Sequence, residues 1–179
     1  VQPGERVVIT GAGGGVGVHA IQLARLMGAF VMAVDIGAEK LALARELGAD
    51  VAFDSSAGDF SGAVKEWTRG EGADVVLELV GTATFEFSLQ SLARGGRMVI
   101  VGSHSGATLA ASPQAMIANE WELLGSRNVT KRELAQVVEL VAAGRVRPIV
   151  TGKFSLEETE SLHQRLRRRE VVGRVVIEP

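Results

Sequence analysis

The residues best suited to chemistry are five glycines in seven, the run Gly11-Ala12-Gly13-Gly14-Gly15-Val16-Gly17, set directly after the apolar stretch 6–10. A glycine-rich turn between a strand and a helix lets backbone N–H groups approach a phosphate with no side chain in the way. Aligned on its end, the run is Ala12-x-Gly14-x-x-Gly17. The dinucleotide fingerprint is G-x-G-x-x-G, so alanine stands here in place of the first glycine. That first position makes the tight turn, the second leaves room for a pyrophosphate, and the third lets the helix lie close on the strand. Alanine suffices at the first position if its φ is negative, with Gly11, Gly13 and Gly15 supplying freedom nearby.

A glycine turn with no ligand would have the same composition. Its neighbours argue for the ligand. The run lies between strand and helix patterns in the first βαβ unit, and the next apolar run ends in Asp35, 18 residues after Gly17. That is close to the spacing of about 20 at which a carboxylate meets the adenosine ribose hydroxyls. Such a carboxylate repels a 2′-phosphate and leaves it no arginine partner, so NAD is expected over NADP. Lys40, five residues on, either reaches the ribose or a phosphate or is a solvated lysine.

Other chemistry is sparse. There is no cysteine, which removes disulfides and cysteine-ligated zinc from this chain. His19, His104 and His163 are far apart, and no pair has metal-ligand spacing. His19 reads as structural or as standing just behind the cofactor, His104 as a surface residue of a polar loop, and His163 as exposed. No nucleophile elbow, carboxylate pair or Ser-His-Asp arrangement is visible. The residues describe a cofactor site with no metal and no catalytic group for proton transfer.

The elements that must hold this site alternate. Strands are expected at 6–10, 30–35, 51–54, 73–80, 97–102 and 121–126, and helices from Val16 to Met27 and over 38–47, 58–69 and 82–93. The stretch 103–112 reads as a loop. Thr130 with Glu133 and Ser155 with Glu158 form capping boxes that open helices over 131–143 and 156–169, and a last strand spans 173–178. Strands alternating with helices define an α/β fold, a doubly wound parallel sheet of order 3-2-1-4-5-6. The segment after about residue 146 fits that sheet less easily and reads as an extra edge unit or part of a second domain.

Composition excludes other partners. With 19 basic against 21 acidic residues the formal charge is -2, which offers nucleic acid or an anionic membrane no attraction. The basic run 165–170 reads as a solvated helix face. No apolar stretch approaches the roughly 20 residues that span a bilayer. The first residues lack the basic start of a signal peptide, so a cytoplasmic location is expected.

Together, "VQPGERVVITGAGGGVGVHAIQLARLMGA", "VDIGAEKLALARELGAD", "GADVVLELVG", "ARGGRMVIVG" and "LLGSRNVTKRELAQVVELVAAGRVRP" resemble the medium-chain dehydrogenase/reductase superfamily. That superfamily contains zinc-dependent alcohol dehydrogenases and zinc-free quinone and enoyl-thioester reductases. The resemblance covers essentially all 179 residues in the family's order. It implies a Rossmann domain that binds a nicotinamide cofactor for hydride transfer. Carried over by position, Gly14, Gly15, Val16 and Gly17 would hold the pyrophosphate, and Asp35 and Lys40 the adenosine ribose. Leu79 and Val80 would flank adenine, and Val101, Gly102 and Ser103 would meet the nicotinamide side. Ser126, Arg127 and Asn128 match the segment whose backbone contacts the carboxamide, and Arg174 a position that contacts the pyrophosphate.

The family also has an N-terminal catalytic domain that carries any zinc ligands and much of the small-molecule substrate pocket. This chain begins where the cofactor domain begins. The resemblance therefore implies a cofactor domain over 1–146 and a segment 147–179 that packs with a catalytic domain outside this sequence. It makes the chain part of a longer oxidoreductase, inactive alone. Asp35 favours the alcohol dehydrogenase branch over the quinone and enoyl-thioester reductases. Homodimers are expected through the edge at the sixth strand. Two other classes are a dinucleotide-binding module without catalysis and a methyltransferase; Gly17, the helix-packing glycine, favours a dinucleotide over the latter. Calorimetry with S-adenosylmethionine separates them.

Overall fold

The computed structural model describes residues 1–102, 108 and 110–179. Ser103 and His104 lie outside the described residues. The first strand, β1 (Arg6–Thr10), is buried from Val7 to Thr10, and β2 (Phe30–Asp35) is buried from Val31 to Asp35. Both are continuous apolar runs because the sheet is covered on both faces. The period of two divides their side chains between two cores. Val7, Ile9, Val31, Ala33 and Val75 pack on one face against Ile21 and Ala24 of α1 (Gly17–Leu26) and Ala44 of α2 (Ala38–Glu46). Val8, Met32, Val34, Val76 and Met98 pack on the other face. Their partners there are Phe60, Val64 of α3 (Ser61–Trp67), and Phe85 and Leu89 of α4 (Phe85–Ser91).

With β3 (Val51–Asp54), β4 (Ala73–Glu78), β5 (Leu92–Ile100) and β6 (Glu122–Gly125), the strands form one parallel sheet of order 3-2-1-4-5-6, as expected. The order reverses between β1 and β4, and a doubly wound sheet binds its ligand at the carboxyl ends there.

Several boundaries differ from the sequence expectation for local reasons. The Asp59 carboxylate accepts from the Ser61 N–H, so α3 starts at residue 61 rather than 58. The strand β4 stops at Glu78, short of Val80, because the next amides turn back onto the Glu78 side chain. That turn delays α4 to Phe85. The strand β5 begins early, at Leu92, where Leu92 pairs with Ala73 across a register shift. One helix, α5 (Pro113–Asn119), goes beyond the sequence reading. Ser112 caps it by accepting from the Ala115 N–H, and Pro113 occupies its first turn.

The chain after α6 (Lys131–Ala142) does not extend the main sheet. It builds a second, two-stranded parallel sheet from β7 (Val150–Ser155) and β8 (Arg174–Glu178), joined by α7 (Thr159–Arg167). The Ser155–Glu158 capping box is present but opens a 3-10 turn over 156–158 that leads into α7. The segment leading into β8 meets the glycine run after β1, where the Gly173 N–H donates to the Gly13 carbonyl at 2.7 Å. No helix among the described residues is long and apolar enough to cross a membrane.

The entry to β1 is tied to β5 by Arg97, whose two terminal nitrogens each lie 2.8 Å from a Glu5 carboxylate oxygen. The guanidinium holds the Glu5 carboxyl below its ordinary value of 4.5. A carboxyl lowered on folding stabilises the fold above its unfolded value, and that stability is lost as pH falls through the folded one. Urea titrations should therefore show stability dropping as pH falls below about 4.5, with a shallower drop in Glu5→Gln. At neutral pH, Ile9→Ala should cost about 3 kcal/mol, as for other truncations of fully buried side chains.

Candidate functional site

The site is set by how closely α1 begins over β1. A Cβ on Gly17 would stand 2.5 Å from the Ala12 Cα and from the carbonyl oxygens of Gly11 and Ala12. The third glycine of the motif is thus required by helix-on-turn contact. Gly11 has φ +61°, whereas Ala12 is fully buried and is not among the positive-φ residues. The tight turn therefore falls on Gly11, and this lets alanine occupy the first fingerprint position. A Cβ on Gly14 would meet only the Gly11 carbonyl oxygen, at 3.3 Å. The N–H groups of Val16 and Gly17 have no partner among the described residues. They are two of the unpaired donors that every helix N-terminus carries, here presented with the positive end of the dipole.

Two buried carboxylates shape the walls. The Asp35 carboxylate, at the end of β2, accepts from the Gly13 N–H at 2.8 Å and from the Ile36 N–H at 2.7 Å. The Lys40 ammonium lies 3.7 Å from Asp35 Oδ1 and donates to the Arg169 carbonyl at 2.8 Å. Lys40 is therefore buried and engaged, not a solvated lysine.

Glu78, at the end of β4, is fully buried with no cation against it among the described residues. Its Oε1 accepts from the Thr10 and Thr84 hydroxyls and from the Val80 and Gly81 N–H groups, and its Oε2 from the Ser88 hydroxyl at 2.6 Å. Hydrogen bonds thus replace a counter-ion, as burial of a charged group requires. One carboxylate gathers the ends of β1 and β4 and the start of α4. Sequence reasoning passed over Glu78; its signal was a lone acid inside the apolar run 73–80.

Between these walls lies a cavity of about 1000 Å³. It brings together Gly14, Gly15, Val16, Asp35, Lys40, Leu79, Val80 and Arg174 from the expected set. Gly17 stands behind the turn. The Arg174 guanidinium stands over Gly15, 2.9 Å from where a Cβ there would be. Val101, Gly102, Ser126, Arg127 and Asn128 do not line this cavity. Gly102 has its own steric reason to be glycine, since a Cβ would fall 2.1 Å from the Leu79 carbonyl oxygen. The cavity wall also takes in Phe60 and Phe87, whose rings meet edge to face.

The basic run is exposed over residues 167–170, as expected of a solvated face, with Arg165 half-buried. Arg165 lies over the Phe154 ring and Arg168 pairs with Glu170, but Arg167 and Arg169 line the cavity that holds Asp35. Two arginines thus line the same cavity as Asp35, where the sequence reading expected none. His19 sits behind the glycine run, bonded to Gly15 and Ile149, while His163 is exposed.

A parallel sheet whose switch point carries a glycine cradle, free helix N-terminal amides and an acid at the end of β2 defines a Rossmann dinucleotide-binding domain. Comparison with known proteins is concordant. The profile of the zinc-binding dehydrogenase family matches residues 15–143, and the chain belongs to that family, within the medium-chain dehydrogenase/reductase superfamily. It is 34% identical over 178 residues to acryloyl-coenzyme A reductase of Metallosphaera sedula, covering 99% of this chain and 52% of that protein. It is likewise 34% identical over 181 residues to the NAD-dependent alcohol dehydrogenase of Sulfurisphaera tokodaii, covering 100% and 52%. A mycobacterial protein solved in complex with NADPH superposes with a TM-score of 0.89 at 32% identity, covering 100% of this chain and 58% of that one. The chain thus spans about half the length of the curated relatives it matches. Among the described residues no three His, Asp or Glu side chains gather as metal ligands, so these residues do not fit a zinc ion.

Glu78→Ala should strand five donors in a sealed site and lower the unfolding free energy by about 2 kcal/mol or more. Thr84→Val, which removes one donor, should cost less. Chemical denaturation of the two variants side by side measures the difference.

Proposed function

We propose that the chain binds a nicotinamide dinucleotide, NAD(H) ahead of NADP(H), as the cofactor domain of an alcohol dehydrogenase-like oxidoreductase. The observation that carries this reading is the free Val16 amide at the start of α1, on the wall of the cavity that Asp35 also lines. The bound cofactor would supply a nicotinamide ring that accepts or donates hydride to an alcohol or carbonyl substrate. The protein's part is binding and orientation. The α1 amides and Arg174 hold the pyrophosphate, and Asp35 takes the ribose hydroxyls on its remaining lone pairs. Leu79 and Val80 lie against adenine. Val101, Gly102, Ser126, Arg127 and Asn128 lie further along the carboxyl edge of the sheet, toward the nicotinamide. In this reading residues 1–146 are the cofactor domain, and 147–179 pack with a catalytic domain in the half of the relatives' length that this chain does not span. The substrate pocket, and zinc where there is any, belong to that half.

A second reading has its own observation. Arg167 and Arg169, which line the same cavity as Asp35, favour an NADPH-using quinone or enoyl-thioester reductase, and the relatives include a reductase of a coenzyme A thioester. Fluorescence titration with NADH and NADPH decides between them. The first reading expects the smaller Kd for NADH, and Asp35→Ser should move the NADH/NADPH ratio toward NADPH by about tenfold, roughly 1.4 kcal/mol. Tighter NADPH binding by the unaltered chain would establish the second reading.

The proposed homodimer forms through the edge of β6, which among the described residues pairs only with β5 and exposes Leu124. Sedimentation should show a dimer that Leu124→Lys dissociates.

A further inference from the structure

We infer that His19 is a positioning residue for the cofactor pyrophosphate, and that it couples cofactor binding to the docking of the C-terminal segment at Ile149. The inference rests on the dinucleotide reading of the cavity. His19 uses both ring nitrogens: Nδ1 lies 2.8 Å from the Gly15 carbonyl oxygen, and the Ile149 N–H lies 3.2 Å from Nε2. A carbonyl only accepts and an amide only donates. The ring is therefore the neutral tautomer with its proton on Nδ1, donating to Gly15 and accepting from Ile149.

The next link is the peptide plane. The Gly15–Val16 bond is trans, as are all the described peptide bonds. In a trans peptide the C=O and the following N–H point in opposite directions. A Gly15 carbonyl held against His19 thus turns the Val16 N–H the other way, and Val16 lines the cavity with that N–H unpartnered. His19 orients a phosphate donor without touching the phosphate.

The donors then run in one direction. A phosphate oxygen accepting from Val16 polarises the Gly15–Val16 peptide, and the Gly15 oxygen becomes a stronger acceptor for Nδ1–H. The ring in turn becomes a stronger acceptor at Nε2, which tightens the Ile149 bond. Ile149 is buried, and its own carbonyl accepts from the Arg174 N–H at 3.0 Å. Arg174 carries the guanidinium that stands over Gly15. The same segment is therefore anchored through His19 and supplies a cation to the cavity. Coupling of this kind is reciprocal: what favours docking of Ile149 also favours the cofactor.

The test compares the unaltered chain with His19→Asn and His19→Ala. Two quantities are read: the Kd for NADH by fluorescence, and exchange of the Ile149 amide with and without NADH. The Asn amide nitrogen takes the place of Nδ1 and can donate to Gly15, but the side chain stops short of Ile149. In the unaltered chain NADH should slow Ile149 exchange. His19→Asn should keep NADH binding within about threefold and lose that slowing. His19→Ala should lose the slowing and bind NADH about tenfold more weakly, the weight of one such hydrogen bond. NADH affinity unchanged in His19→Ala, or slowing at Ile149 that persists in His19→Asn, would overturn the inference. Should the alanine variant fail to fold, the asparagine variant decides alone, by whether the slowing is lost or kept. An unaltered chain that bound neither NADH nor NADPH would overturn the dinucleotide reading and this inference with it.

Discussion

The approach of α1 to the turn that follows β1 governs everything at the carboxyl edge of this sheet. The helix can begin there only because Gly17 has no side chain to meet Ala12. Once it does, its first amides stand open beside a turn that is itself glycine. The remaining features of the site are ways of holding that turn. Gly13 is gripped by the Asp35 carboxylate on one side and by the Gly173 amide on the other. Gly15 is held by His19 and faced by Arg174. A loop of small residues gains its rigidity from neighbours, because it has no side chains with which to pack.

The two buried carboxylates act through the main chain. Asp35 bonds to amides at the end of β2 and in the glycine turn, and Glu78 bonds to amides and hydroxyls where β1, β4 and α4 converge. Each sits at a strand end, where the ladder stops and backbone donors need acceptors. A carboxylate offers several lone-pair sites in one group. That capacity lets Glu78 satisfy five donors in a space sealed from water. Asp35 is the less saturated of the two and borders the cavity, so the pair divides naturally into one carboxylate that builds the wall and one that can meet a ligand.

The legibility of the molecule followed the range of the interactions. The sheet was readable because its central strands β1, β2 and β4 are buried, largely continuous apolar runs between glycine turns, and alternation with helices fixes their parallel order. The Thr130–Glu133 cap was readable because it spans three residues. Boundaries set by a side chain folding back were not, as at Asp59 and at Glu78, since the relevant bond joins a residue to the turn beside it. Helix α5 was missed because its signals, a Ser112 cap and Pro113, lie in a stretch of small residues with no helical apolar stripe.

By itself, then, the sequence determined the doubly wound sheet, the phosphate-type turn with its third glycine, and the acid at the end of β2. These rest on spacing along one strand-turn-helix unit and on periodicity, both properties of nearby residues. Tertiary structure alone decided what surrounds that turn. It buried Lys40 by giving its ammonium the Arg169 carbonyl, placed Arg167 and Arg169 in the cavity with Asp35, and brought Ile149 to His19 across 130 residues. These contacts depend on where a separate two-stranded sheet docks. Docking is set by shape and by matched donors and acceptors on distant segments, which no local pattern encodes.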